Sequence, residues 1–459
     1  MAENNRLDRE PSLEHSSFES TFKRALSPFE EFLHQESSSG IVLMICVAVA
    51  LVIANSPLYP LYESVLHTTI SIGSPEFYIS HSLHHWINDG LMALFFFVIG
   101  LEVKREILIG ELSDFRQALL PIGAALGGMI VPASFYLLFN QSGPAVDGWG
   151  IPMATDIAFA IGIVALLGSR IPKPLVAMLL ALAIVDDIGA VLVIAVFYTE
   201  TINVTALIMA GIFLLLLIAA NLAGVRQPIP YAILGLLLWL AMMKSGVHAT
   251  LAGVLAAFTV PASSSSDSAT FSNCITNLIS EFKEQATVSR NISRFNVLRN
   301  SKKQAILQSI ENGVHKMASP LQRMEHGLHI WVSFLIVPIF ALANAGIPID
   351  FKNLGSLLLE PVTIGIMVGL FFGKAIGIFL SSWLILRLRL SVLPEGVTLS
   401  QILGIAFLAG IGFTMSIFIG TLAFAKQPEL LHQAKIGIVF GSLVSGITGY
   451  IWLYKNTGK

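Results

Sequence analysis

Apolar runs long enough to cross a bilayer alternate with short polar connections along most of this chain. A membrane-spanning helix needs roughly 18–25 predominantly apolar residues, and windows of that length predict about twelve helices, some short or interrupted. They fall near 40–57, 84–103, 118–139, 151–167, 173–198, 203–223, 229–243, 246–261, 327–346, 358–385, 400–424 and 432–454. Three stretches follow other rhythms. Phe18, Phe22, Leu26, Phe29 and Leu33 recur at helical spacing among Glu, Lys and Arg, which predicts a helix lying on the membrane surface, kinked at Pro28. The alternation from His67 to Ser80 predicts two short strands about a Gly-Ser-Pro turn, and their exposed edges offer another subunit a place to pair. From Ala262 to about 320 the chain is polar and mixed in charge, which predicts a loop with weak helical pieces or disorder.

The predicted fold class is therefore an all-α polytopic membrane protein with a small external β-hairpin. Residues 1–38 form an N-terminal segment bearing the surface helix, and residues 39–459 form the membrane domain, which includes an external hairpin at 58–83 and a cytoplasmic loop at 262–326.

Composition agrees: 54% hydrophobic residues, 12% charged residues and a mean hydropathy of +0.75 exclude an ordinary soluble domain. A net charge of -2 argues against a nucleic-acid partner. Cys46 and Cys274 give neither a disulfide framework nor metal-ligand spacing, and no phosphate-cradling motif occurs, so no resident cofactor is expected. Residues 1–38 lack the basic start and apolar core of a cleavable signal peptide. Lys104, Arg105, Arg116, Arg170, Lys173, Arg226, Arg387 and Arg389 fall on one set of alternate connections, together with the basic 262–326 segment. The opposite set carries Lys244, Lys352, Lys426 and Lys435. Under the positive-inside rule the first side is cytoplasmic and holds both termini.

Asp186 and Asp187 are the most informative polar residues in this setting, adjacent in Leu182-Ala-Ile-Val-Asp-Asp-Ile188. A carboxylate near the bilayer centre costs at least roughly 2.5–3.5 kcal/mol on insertion scales, so a pair of them predicts an ion or proton site. Na⁺ and Li⁺ are hard cations that prefer oxygen ligands, and the same oxygens can hold a proton instead. Adjacent helical residues point about 100° apart, so the two acids are not equivalent.

Two spans are interrupted. Pro152, Thr155 and Asp156 break the first within Ile151–Gly162, and Gly410, Gly412, Thr414 and Ser416 break the second within Leu408–Ser416. Each is the middle helix of three, in 118–198 and in 358–454, which predicts an inverted repeat with a site at its centre. Broken helices present partial positive charge at their N-termini and partial negative charge at their C-termini. Asp156 is expected to face the positive ends. Lys374, the one basic residue well inside the span before the second break, is expected to face the negative ends.

At these motifs the chain resembles the NhaA-type sodium/proton antiporters, which serve as a standard instance of inverted-repeat architecture. The resemblance rests on Trp86-Ile-Asn-Asp-Gly-Leu-Met92, Gly100-Leu-Glu-Val-Lys-Arg-Glu106, Ala154-Thr-Asp-Ile-Ala-Phe-Ala160, Ala183-Ile-Val-Asp-Asp-Ile-Gly-Ala190, Ser245-Gly-Val-His-Ala-Thr-Leu-Ala-Gly253, Ala343-Asn-Ala-Gly346 and Gly410-Ile-Gly-Phe-Thr-Met-Ser-Ile-Phe418, in that order. Two departures are the long 262–320 loop and Ala375, where members often carry proline. The resemblance implies an NhaA-like fold with crossed interrupted helices near 151–167 and 400–424, in the bacterial inner membrane. It implies electrogenic export of Na⁺ or Li⁺ against two inward protons. Asp187 is then the principal ligand, Asp186 the second acid and ion-pair partner of Lys374, and Thr155 and Asp156 further oxygen donors. A homodimer through the 58–83 hairpin is also implied.

Competition of cation and proton for one set of oxygens gives exchange by alternating access. Burial and the closeness of two acids both oppose ionisation, so activity is expected to rise as the cytoplasm becomes alkaline. Glu102 and Glu106 flank Lys104 and Arg105 at a cytoplasmic helix end, where pH sensing or ion entry competes with ordinary surface charge; Glu325, His326 and His329 are candidate partners. Asp89 is a candidate for guiding cations or a plain helix-end acid, and His248 for tuning the pH response or a packing histidine. Two other classes compete. A sodium-coupled symporter of a small organic solute would take up its solute without proton counterflow, and an intramembrane aspartyl protease would need facing acids, usually from separate helices.

Overall fold

The computed structural model describes residues 36–74, 77–110, 112–199, 202–264, 268–288, 301–350 and 352–457. The predicted surface helix at 18–33 lies outside them. Helix α1 (Glu36–Ala54) turns through 111° into α2 (Tyr59–His67), which Pro60 helps to start. Strands β1 (Thr69–Ser74) and β2 (Phe77–Ser82) pair antiparallel, with Thr69 opposite Ser82. The hairpin thus runs two residues beyond the predicted end at Ser80. Leu83–His85 and a π-turn, Trp86–Leu91, lead into α3 (Met92–Ile109).

The first three-helix unit begins with α4 (Phe115–Phe139). Its interrupted span enters as a 3₁₀ stretch, Pro144–Met153, and leaves as α5 (Ile157–Leu167), and α6 (Lys173–Phe197) completes the unit. Next come α7 (Val204–Leu222), α8 (Pro228–Ser245), α9 (Leu251–Thr259), α10 (Ser268–Val288) and α11 (Ser301–Met317). Helix α12 (Pro320–Trp331) continues through the π-turn Val332–Ile336 into α13 (Val337–Asn344), and the short α14 (Leu354–Leu358) follows. The second unit opens with α15 (Pro361–Val368), which passes through the π-turn Gly369–Gly373 into α16 (Lys374–Arg387). Helices α17 (Leu399–Ala409) and α18 (Phe413–Ala423) meet at a 46° bend, and α19 (Pro428–Asn456) closes the fold.

By length and composition, eight helical runs among the described residues can cross a membrane, or ten when each bent pair counts as one span. The two other predicted spans differ for identifiable reasons. Helix α3 gathers Glu102, Lys104, Arg105 and Glu106 near its end, and α9 has only 9 residues. The 262–320 region holds two helices of 21 and 17 residues where a loop with weak helical pieces was expected. Gly313 lies against Phe271 and Ile275 across that pair, so a narrow apolar seam organises a mostly polar segment.

Small residues let the membrane helices approach backbone to backbone, the usual device where lipid gives no hydrophobic drive. A Cβ on Gly377 of α16 would lie 2.1 Å from the Gly127 carbonyl oxygen of α4, and one on Gly40 of α1 would lie 2.7 Å from the Gly162 Cα of α5. The larger core surrounds the two interrupted spans; a second joins α7, α8 and α9 to Phe97 and Leu101 of α3 and to Leu321 and Met324 of α12.

Candidate functional site

The two breaks cross one another, and small residues make the crossing tight. A Cβ at Gly410 would stand 2.4 Å from the Leu370 carbonyl oxygen, and one at Gly412 would stand 2.9 Å from the Ala154 carbonyl oxygen. The backbones bond directly there, the Asp156 N–H donating to the Ile411 carbonyl at 2.6 Å. Hydroxyls cover carbonyls that interrupted helices leave open. Thr155 Oγ1 donates to Ala409 at 2.9 Å, Ser416 Oγ to Ile151 at 2.7 Å and Ser445 Oγ to Phe407 at 2.9 Å.

Asp156 serves two helix N-termini at once. Its Oδ1 accepts from the Phe159 N–H of α5 at 3.1 Å, and its Oδ2 accepts from the Thr414 N–H of α18 at 2.9 Å and from Thr414 Oγ1 at 2.5 Å. The carboxylate therefore faces the positive ends. Lys374 pairs with Asp186, the partner that the family resemblance implies, rather than facing a helix end directly. Fully buried, its Nζ donates to Asp186 Oδ2 at 2.7 Å and to Thr155 Oγ1 at 2.9 Å, and it meets the C-terminus of α17 only through that threonine. An ionised carboxylate within reach is a stronger acceptor than a helix carbonyl, which explains the choice. The π-turn Gly369–Gly373 ends at this lysine, and Gly373 and Gly128 leave room for α16 and the lysine stem against α4.

Asp187, one residue from the ion pair, is 1% exposed, and neither of its carboxyl oxygens has a hydrogen-bond partner. The second oxygen of Asp186, Oδ1, is likewise without one. Asp187, Asp156, Thr155 and Thr414 line a cavity of about 190 Å³ that also reaches Glu102, Arg105, His329 and Ser39. Asp186 and Lys374 stand behind its wall. Thus Thr155, Asp156, Asp186, Asp187 and Lys374 come together, with Glu102 on the same cavity.

The remaining predicted residues separate into two groups. Arg105 joins Glu106 at 3.0 Å and Glu325 at 3.1 Å beside the cavity mouth. Asp89 does not belong with them: it lies 13 residues before Glu102, about 20 Å along the helix at 1.5 Å per residue. There it pairs with His85 at 3.3 Å, and its carbonyl accepts from Trp239 Nε1 at 3.2 Å. His248 Nε2 donates to the Tyr198 carbonyl at 2.6 Å, so its ring is held by the backbone. The sequence marks Thr414 only as part of the second break, not as a donor to Asp156. Nor did it foresee Lys104, whose Nζ donates to the Phe258 and Val260 carbonyls at 2.6 and 2.5 Å and so caps α9.

Residues 30–453 match the family model for Na+/H+ antiporter 1. The chain belongs to that antiporter family. Its relatives include Na(+)/H(+) antiporter NhaA 1 of Saccharophagus degradans, 49% identical over 442 residues that cover 96% of this chain and 94% of the relative. Na(+)/H(+) antiporter NhaA of Sulfurimonas denitrificans is 47% identical, covering 96% and 98%, and that of Acidithiobacillus ferrooxidans is 48% identical, covering 95% and 98%. Membership makes the chain a multi-pass membrane transporter of Na⁺ and H⁺, not an enzyme, and the NhaA-like fold with crossed breaks is the architecture expected from its motifs.

Proposed function

We propose that this antiporter exports Na⁺ or Li⁺ electrogenically and under pH control, with Asp186 and Asp187 as the acids that exchange cation for protons. The observation that carries the reading is Asp187, whose two oxygens are buried on a cavity wall without a hydrogen-bond donor. A bare carboxylate so placed is costly, and a proton or a hard cation relieves the cost. The cavity of about 190 Å³ is smaller than the roughly 300 Å³ at which organic-ligand pockets begin, which favours a bare ion over solute symport.

The cavity reaches toward the Lys- and Arg-rich end of the helices, which the positive-inside rule assigns to the cytoplasm together with both termini. The arrangement is then inward-facing, in the bacterial inner membrane. Na⁺ enters past Glu102 and takes Asp187 as principal ligand, with Thr155 and Asp156 on the same cavity. Asp186 contributes when the cation draws its charge away from Lys374, and the freed lysine can change protonation. Rocking exposes the site to the hairpin side, where Na⁺ leaves and two protons bind. Arg105, held between Glu106 and Glu325, governs ion entry at the mouth. No resident cofactor enters the scheme. Two copies join through the 58–83 region, whose two-stranded sheet has no third strand among the described residues.

The test is proton movement in inside-out vesicles energised to an acidic interior. Na⁺ and Li⁺, but not K⁺, should alkalinise the interior between about pH 6.5 and 8.5, more strongly at the alkaline end. Asp187→Asn should abolish the response. Silence at every pH from inserted, folded protein would overturn the reading.

A further inference from the structure

A second group of titratable side chains lies where the hairpin meets the lead-in to α3, apart from the exchange site. His81 on β2 stacks on His85, with ring centroids 4.1 Å apart and planes inclined by 25°. His85 Nε2 lies 3.3 Å from Asp89 Oδ2, one helical turn along. Trp86 donates its indole N–H to the Ile70 carbonyl at 3.1 Å, and Ile70 is the residue paired with His81 across the hairpin. The His85 N–H donates to Ser82 Oγ at 3.2 Å. The strands are thus fastened to the helix by hydrogen bonds that do not titrate, among them Leu83 N–H to the Thr68 carbonyl at 2.9 Å, and by a ring stack that does.

Two imidazoles at this separation tolerate one proton far better than two. A charge on His85 is answered by Asp89; a second charge, on His81, sets like charges face to face with one carboxylate to serve both. Burial and the neighbouring His85 charge hold His81 below the ordinary histidine range, with Asp89 opposing them. Other groups border the stack: Trp86 meets His81 edge-on with ring centroids 6.5 Å apart, and His84 is close enough to feel a charge on His85. His84 donates from Nε2 to Asn344 Oδ1 at 3.0 Å and is faced by His67 of α2 and Lys435 of α19. His248, ahead of α9, faces Asp89 and is bonded to the Tyr198 carbonyl.

We propose that the His81–His85 stack is a proton-operated catch: it fixes the hairpin against the start of α3 while His81 is neutral and releases it when both rings are charged. The catch involves no transport step and stands whether or not the exchange scheme does. Where the hairpin also joins two copies, acidification on the hairpin side loosens that joint.

Spin labels on Ser80→Cys and Leu236→Cys, in a Cys46→Ser, Cys274→Ser chain, report the distance from the hairpin to α8. Dilution with unlabelled chain in lipid nanodiscs keeps each measured pair within one copy. The distance distribution should move outward as pH falls from about 8 to about 5. His81→Gln and His85→Gln should each remove the pH dependence. A distribution in the parent chain that ignores pH would overturn the proposal, as would an equal shift in parent and both variants. Should one variant unseat the hairpin, its distribution would be broad already at the alkaline end, and the parent titration with the other variant decides.

Discussion

At the scale of single residues, the site rests on charges that answer each other across long stretches of sequence. Lys374→Ala leaves the Asp186 carboxylate buried opposite nothing, and breaking a buried pair from one side costs about 3–5 kcal/mol. The unfolding temperature of purified protein should fall accordingly, and adding Asp186→Asn should restore most of the loss, because the double variant removes the charge that Lys374→Ala leaves unpaired. A second variant no more stable than Lys374→Ala alone would mean that the pair is not what stabilises this region. Asp156 makes a contrasting case. As the cap of both α5 and α18, its loss in Asp156→Ala should cost about 0.5–2 kcal/mol at each helix, whereas Asn, itself a good cap, should keep a large share. Comparing the melting curves of the two substitutions separates capping from charge.

At the scale of elements, the crossing depends on where a methyl group cannot go. Gly410→Ala would drive Cβ into the Leu370 carbonyl, so a loss on the order of 1–3 kcal/mol is expected. Gly327→Ala sets the control: that glycine lies inside α12 with open space where Cβ would be, and alanine there should gain about 0.5–1 kcal/mol. Thermal unfolding of both variants checks the sign of each. The elements themselves were legible to different degrees. Proline, glycine and hydroxyl residues interrupting apolar runs marked both breaks, because few other residues tolerate unwound backbone inside a membrane. Twelve spans were countable from hydropathy, yet α9 is shorter than its apolar run because residues 246–250, beginning with Gly246 at φ +83°, stay outside the helix and Val260 leaves it in an extended conformation. The α10–α11 pair was read as weak structure since its apolar seam is thin against a polar majority. Lys374 stands out locally as the one basic residue well inside its span, but its pairing with Asp186, 188 residues away, is legible only through the family resemblance, since no local pattern reports it. Chemistry alone offers Asp89 as a guide for cations; helix length sets it about 20 Å from Glu102.

At the scale of the whole molecule, the proposed stoichiometry makes a quantitative expectation. Exchange of one Na⁺ for two protons moves one net charge, so at equal pH on both sides a potential of about 59 mV should sustain a Na⁺ gradient of about tenfold. Liposomes clamped with a potassium diffusion potential would read this directly, and a gradient that ignores the potential would mean electroneutral exchange. The two three-helix units bear on a different property. In an inverted repeat, the outward form arises when each unit takes the other's conformation, so identical units would make the two facings equal in energy. These units are not identical: one break is entered from a 3₁₀ stretch and carries a carboxylate, while the other is entered from an α-helix through two glycines. Under the proposed alternating access, that difference gives the molecule a lean toward one facing before any ion arrives, with its size set by the residues that differ between the breaks.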